Sequence, residues 1–184
     1  HDSVPDETTV LNFRHLLQDN NLFERIFEKI NQHLTEKGFL MKSGTIVDAT
    51  LISAPSSTKN ESKKRDPEMS SSFKAGKWTF GMKAHIGVDA QSGLVHSVTG
   101  TTAKVHDSKQ LEELLHGDEE IVLGDSAYSS KKVQRKFEKN NVVWGIKTKA
   151  TRFKKLTDAE KQQNRIISTV RARVEHPFQV IKCQ

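Results

Sequence analysis

At 184 residues the chain has room for one domain with a real core and a small appendage, but not for two large domains. Its 34% hydrophobic and 28% charged residues are polar for a folded protein without reaching the composition of a disordered one. A net charge of +6 favours a polyanionic partner, because Lys and Arg that neutralise phosphates release counterions, while a single cysteine, Cys183, excludes an internal disulfide or a cysteine cage for zinc.

Asp6 is placed to cap a first short helix in which Val10, Phe13 and Leu17 recur at helical spacing. A second helix carries Leu22, Phe23, Ile26, Phe27, Ile30 and Leu34, with Gly38 positioned to end it in a left-handed cap. Residues 1–40 therefore read as an N-terminal helical segment, an accessory module, and residues 41–184 as the main domain. From Gly44 the texture changes to β-rich runs at 45–52, 78–88 and 94–99, the last two joined by the hairpin loop Asp89-Ala90-Gln91-Ser92-Gly93. Residues 55–77, rich in Ser, Lys and Glu, read as a basic excursion outside the core. Asp107 is placed to cap a helix through Leu111, Leu114 and Leu115, followed by a strand at 120–124, a helix at about 130–139 and a strand at 142–147. A last helix opens with the capping box Thr157-Asp158-Ala159-Glu160 and carries Ile167, Val170, Val174, Phe178 and Ile181 down one side, with Pro177 expected to kink it near Glu175.

The order β-β-β-α-β-α-β-α is that of a mixed α/β sheet with a ribonuclease-H-like core: three antiparallel strands, then parallel strands joined by helices. No apolar run is long enough to cross a bilayer and no targeting pattern opens the chain, so a cytoplasmic protein is expected. The start at His1 and the end inside a helix suggest a piece of a longer protein, continuing past Gln184.

Three acids stand out within this order. Asp48 sits in the β-branched run 45–50, where an uncompensated carboxylate facing the core would be costly. Asp125 follows Ile121-Val122-Leu123-Gly124, at the C-terminal tip of its strand, where open α/β sheets place ligands. Glu175 lies on the final helix in an arc with Ser168, Arg171 and Lys182. Converging from two strands and a helix, these carboxylates could hold two divalent ions, Mg²⁺ or Mn²⁺, roughly 3.5–4 Å apart for in-line displacement at a phosphodiester. Each acid also has an ordinary reading: Asp48 as a strand end, Asp125 in an Asx turn, Glu175 paired with Arg171 one helical turn away. Asp89 and Asp107 are rival acids, read as a turn residue and a helix cap. His85, His106 and His176 lack the pairwise spacing of a zinc site and suit structural or supporting roles, while Trp78 and Trp144 are expected to pack in the core and Tyr128 to pack or to stack on a base.

At these residues the sequence resembles insertion-sequence DDE transposases of the IS-four and IS-five types. The matching stretches are Ile46-Val47-Asp48-Ala49-Thr50, Lys83-Ala84-His85-Ile86-Gly87-Val88-Asp89, Val105-His106-Asp107-Ser108, Gly124-Asp125-Ser126-Ala127-Tyr128 and Arg171 to Phe178. Such enzymes carry a Tyr-Arg-Glu-Lys pattern around the catalytic glutamate. Arg171, Glu175 and Lys182 stand at its spacings, and Ser168 stands where the tyrosine would be. The resemblance implies Asp48, Asp125 and Glu175 as metal-binding catalytic acids, with Arg171 and Lys182 on phosphates. It also implies DNA cleavage and strand transfer at the inverted-repeat ends of an insertion sequence, with double-stranded DNA as partner, a homodimer, and association with the nucleoid when bound. Lys63, Lys64 and Arg65 on the excursion are further candidate phosphate contacts. Two readings compete: a truncated, inactive remnant that only binds DNA, and a ribonuclease-H-like nuclease that cleaves without joining.

Overall fold

The computed structural model describes residues 4–59, 61, 63–74 and 76–183. They form two compact units, one ending at Leu40 and one beginning at Met41.

In the first unit, α1 (Glu7–Asp19) starts where Asp6 accepts the Thr9 amide at 2.7 Å. Helix α2 (Leu22–Glu36) ends at the left-handed Gly38 (φ +72°), where the amides of Gly38 and Phe39 return to the carbonyls of Thr35 and Leu34. Both helices and the glycine stop match the sequence expectation. Neither helix has a buried residue.

The second unit is built on a six-stranded mixed sheet. Its strands are β1 (Gly44–Ser53), β2 (Ser70–Lys74), β3 (Lys77–Asp89), β4 (Val95–Thr102), β5 (Ile121–Gly124) and β6 (Val143–Ile146). Strand β3 runs antiparallel between β1 on one side and β4 on the other, while β2 pairs with the first half of β3. Strands β5 and β6 add to β1 in parallel. Val, Ile and Thr fill β1 because branched side chains suit a pleated, packed surface.

Side chains alternate across the sheet, so β1 feeds two cores. Ile46 joins Ile86, Val88 and Leu123 against Ile167 of α4 (Asp158–Arg171) and Val174. On the opposite face Val47 and Val122 join Leu111, Leu114, Tyr128 and Phe137 of α3 (Lys131–Lys139). The β3–β4 turn is cinched by Asp89, whose carboxylate accepts the amides of Gln91 and Ser92 and also those of Met41 and Lys42. Burial alone would raise this acid, but the amides of Ser92, Lys42 and Gln91 and the Ser92 hydroxyl together hold it below its ordinary value.

Four expectations are corrected. The segment after Asp107 is not a helix but two 3₁₀ turns, Asp107–Lys109 and Glu112–Leu114, since Asp107 spends its carboxylate on Lys83 rather than on a helix start. The basic excursion contains β2, because the stretch Ser70–Lys74 meets the ladder groups that β3 offers beyond the end of β4, on the edge opposite β1. Trp78 is not in the core: it is 68% exposed, paired with Phe73 across the β2–β3 ladder. The last helix is two, α4 and α5 (Glu175–Cys183), separated by the 3₁₀ turn Ala172–Val174. The break falls where a continuous helix would bring the Pro177 ring against the Arg173 carbonyl, while inside the first turn of α5 the missing proline donor costs nothing.

Candidate active site

The last parallel pair between β1 and β5 is Val47 with Gly124, so the next residues along, Asp48 and Asp125, stand on adjacent strands about 5 Å apart in backbone spacing. Asp125 is held at the strand tip by its own turn: its carboxylate accepts the Ala127 amide at 2.6 Å and caps the 3₁₀ turn Ser126–Tyr128. This is the Asx turn that was the ordinary reading, and it aims the carboxylate. Gly124 leaves little room beside it, since a Cβ there would lie 2.7 Å from the Ile146 Cδ1 and 3.1 Å from the Val47 Cγ2.

Asp48 takes the Ala49 amide on one oxygen and the Arg171 guanidinium on the other, each N–H···O at 2.8 and 2.7 Å respectively. Both side chains of the Asp48–Arg171 pair are largely buried, at 22% and 14% exposure. Burial raises Asp48 above the ordinary carboxylate range and the negative charge of Asp125 adds to that, while Arg171 and the Ala49 amide pull the other way. Arg171 thus pairs with a strand 123 positions away in sequence, not with Glu175. Its buried Nε has no acceptor among the described residues.

Glu175 begins α5 and is exposed, and the described residues contain no group of three His, Cys, Asp or Glu side chains close enough to hold one metal ion. The structure therefore brings two of the three predicted acids together and leaves the third on the neighbouring helix start. Lys182 is exposed near the end of α5. Lys63, Lys64 and Arg65 are exposed on the excursion, where Arg65 lies 5.3 Å from the Phe80 ring centre and donates to the Ser56 carbonyl.

On the other face of β1, sequence reasoning missed a second ion pair. Lys83 Nζ donates to Asp107 at 2.8 Å and to the Val105 carbonyl at 2.6 Å. The available signal was the alternation of β3, which sends Lys83 and His85 to the same face in the middle of a buried run. His85 is fully buried against Thr101, at 2.8 Å, and burial, the main cause, lowers its pKa, a structural role as expected. His106 and His176 are exposed. Tyr128 is fully buried, which excludes base stacking; burial and the nearby Asp107, Asp48 and Asp125 push its phenol well above the ordinary range. Trp144 stacks on Phe137 in the core, as anticipated. At the opposite end of the sheet, Thr45, His96, His116 and Glu119 form a buried polar cluster that no sequence pattern announced.

Asp48 in the middle of β1 and Asp125 just beyond the end of β5 thus stand on neighbouring parallel strands of a ribonuclease-H-like sheet, with Arg171 reaching Asp48 from α4. The model of the family described as "Transposase DDE domain" matches residues 40–184, and the chain belongs to that family. It is thus a transposase domain, an enzyme of the polynucleotidyl-transferase class. No solved structure matches the chain. Among the described residues no helix is long and apolar enough to cross a membrane.

Proposed function

We propose that this chain cleaves DNA at the inverted-repeat ends of an IS-four- or IS-five-like insertion sequence and joins those ends to target DNA. The observation that carries the reading is the side-by-side placement of Asp48 and Asp125 with Arg171 reaching in from α4. The residues suit a divalent cation in one respect: Asp48 is raised chiefly by burial and further by the negative charge of Asp125 on the next strand, and a cation bound by the two acids would relieve both. Asp48 and Asp125 would hold Mg²⁺ or Mn²⁺ with Glu175 as the third acid, and the bound cations would supply activation of the attacking oxygen and stabilisation of the leaving one.

The chain's own groups do the rest. Arg171 holds Asp48 through one nitrogen, and its guanidinium keeps a fixed positive charge beside the two acids, suited to a phosphate drawn to them. Lys182, Lys63, Lys64 and Arg65 add exposed positive charge for the backbone of double-stranded DNA. The β2–β3 hairpin extends this surface, with Lys74 directly opposite Lys77. Like charges facing each other across a ladder are destabilising, and a phosphate between them removes the cost. The N-terminal helical unit is an accessory DNA-contacting region, and the working form is a homodimer.

Cleavage and strand transfer of labelled inverted-repeat DNA in Mg²⁺ is expected for the wild type and absent for Asp125→Ala at unchanged DNA binding. Equal activity in the two proteins refutes the assignment. DNA binding without cleavage in either supports the inactive-remnant reading; cleavage without joining supports a nuclease.

A further inference from the structure

Lys83 and Asp107 lie outside the acidic triad, yet they line the same pocket as Asp125. This pocket, about 190 Å³, is also lined by Ala49 and Leu51 of β1 and by Ser72 and Lys74 of β2. It is large enough for an ion with its water shell. The pair is not a surface ornament: its side chains are 14% and 22% exposed, and Lys83 Nζ makes two short bonds, to the Asp107 carboxylate and the Val105 carbonyl. A buried lysine that holds both a loop carbonyl and the first residue of the next turn ties residues 105–107 to β3. That turn, Asp107–Lys109, packs directly on the turn Ser126–Tyr128, whose cap is the Asp125 carboxylate. Tyr128, in the second of these turns, is fully buried. Asp107, Asp48 and Asp125 all act on its hydroxyl, which has no hydrogen-bond partner among the described residues. Asp107 thus has one oxygen committed to Lys83 and shares a cavity with Asp125.

We propose that Lys83 and Asp107 are a positioning pair for Asp125, a role that rests on the reading of Asp125 as a cation ligand. The ion pair sets the turn against which the Asp125 turn is packed. The second oxygen of Asp107 orients water around a cation bound at Asp125. Because Lys83 cancels the charge of Asp107, the pair adds order without adding to the carboxylate repulsion at the strand tips.

The test measures Mn²⁺ binding to the full chain by electron paramagnetic resonance, with a thermal melt of every variant. The variants are Asp125→Asn, Asp107→Asn, Lys83→Met and Lys83→Arg, with Lys136→Met as a control that breaks the exposed Lys136–Glu112 pair. Wild type binds Mn²⁺ and Asp125→Asn does not. Asp107→Asn and Lys83→Met weaken binding by about 10–100-fold at a temperature where both are folded, as removal of groups that support a ligand does. Lys83→Arg recovers most of the affinity and Lys136→Met leaves it unchanged. If Lys83→Met does not fold, the isosteric Asp107→Asn decides. Wild-type affinity in folded Asp107→Asn, whatever its melting temperature, overturns the positioning role while Asp125 stands. Wild-type affinity in Asp125→Asn, or no Mn²⁺ binding by the wild type, overturns the reading of Asp125 and the pair's role with it.

Discussion

Replacing Gly124 by alanine is the smallest change that tests how the strand tip is built. The new Cβ would meet Ile146 Cδ1 at 2.7 Å, Val47 Cγ2 at 3.1 Å and Tyr128 Cδ2 at 3.4 Å, all on buried side chains. The first of these distances is too short for two carbons to keep, so either Ile146 leaves its rotamer or β5 moves away from β1. Inserting one methyl into a packed core costs roughly 1–3 kcal/mol. At roughly 2–4 °C per kcal/mol for a domain of this size, the melting midpoint should fall by several degrees. The consequence for the site follows, because a shift of β5 carries Asp125 away from Asp48. The structure also predicts a rescue. Ile146→Val removes Cδ1, the nearest obstacle, and alone costs about 0.5–1.5 kcal/mol. The double variant should melt no lower than Gly124→Ala alone, against the additive loss expected of independent sites. Differential scanning calorimetry of the four proteins gives the cycle. Additive midpoint losses, or a Gly124→Ala midpoint equal to wild type, would show that the strand tip is not packed as described.

The Asp48–Arg171 pair should make stability depend on pH in a stated direction. Because Asp48 is raised, the folded state holds its proton more tightly than the unfolded one, so its contribution favours folding at low pH and is lost as pH rises through the unfolded and then the folded value. Arg171→Gln lifts Asp48 further and should cost about 2–3 kcal/mol near neutrality, below the 3–5 kcal/mol of a fully buried pair. Urea titrations should find a smaller deficit near pH 4 than near pH 7, and an equal deficit at both would refute the coupling. Asp89 has the opposite sign: its lowered carboxyl stabilises the β3–β4 turn above the unfolded value and that stability is lost as pH falls through the folded one, so Asp89→Asn should flatten the acid limb of the pH–stability curve. Trp78→Ala should leave the melting temperature almost unchanged, since the ring is exposed, but weaken DNA binding by about tenfold if the hairpin stacks on bases. Unchanged affinity in a fluorescence titration would remove Trp78 from the DNA surface.

Much of the architecture was legible in the sequence because it is written in short-range signals. The two N-terminal helices follow from a 3.6-residue apolar rhythm between an aspartate cap and a glycine stop, and β1, β3 and β5 from β-branched runs. Asp48 and Asp125 could be singled out because an acid inside or at the tip of such a run needs a partner. The capping box at Thr157 is present as read, with Thr157 and Glu160 bonding reciprocally. Where a segment's fate depends on distant partners, the sequence was silent or misleading. Leu111, Leu114 and Leu115 fit a helix, but Lys83 takes Asp107 and two 3₁₀ turns result. Trp78 is a core residue by type, yet β3 outruns β1 and leaves it on an exposed ladder with β2.

By itself the sequence determined which segments alternate, which acids sit within or at the end of β-rich runs and that the chain carries the marks of a transposase. Only the tertiary structure decided the partners. Parallel register set Asp48 beside Asp125, a 3₁₀ turn separated α5 from α4 just before Glu175, and two largely buried cations, Arg171 and Lys83, each took one carboxylate. The reason is physical: local propensity depends on neighbours a few residues apart, whereas charge pairing in a low-dielectric interior depends on distance in space, which one-dimensional spacing does not encode.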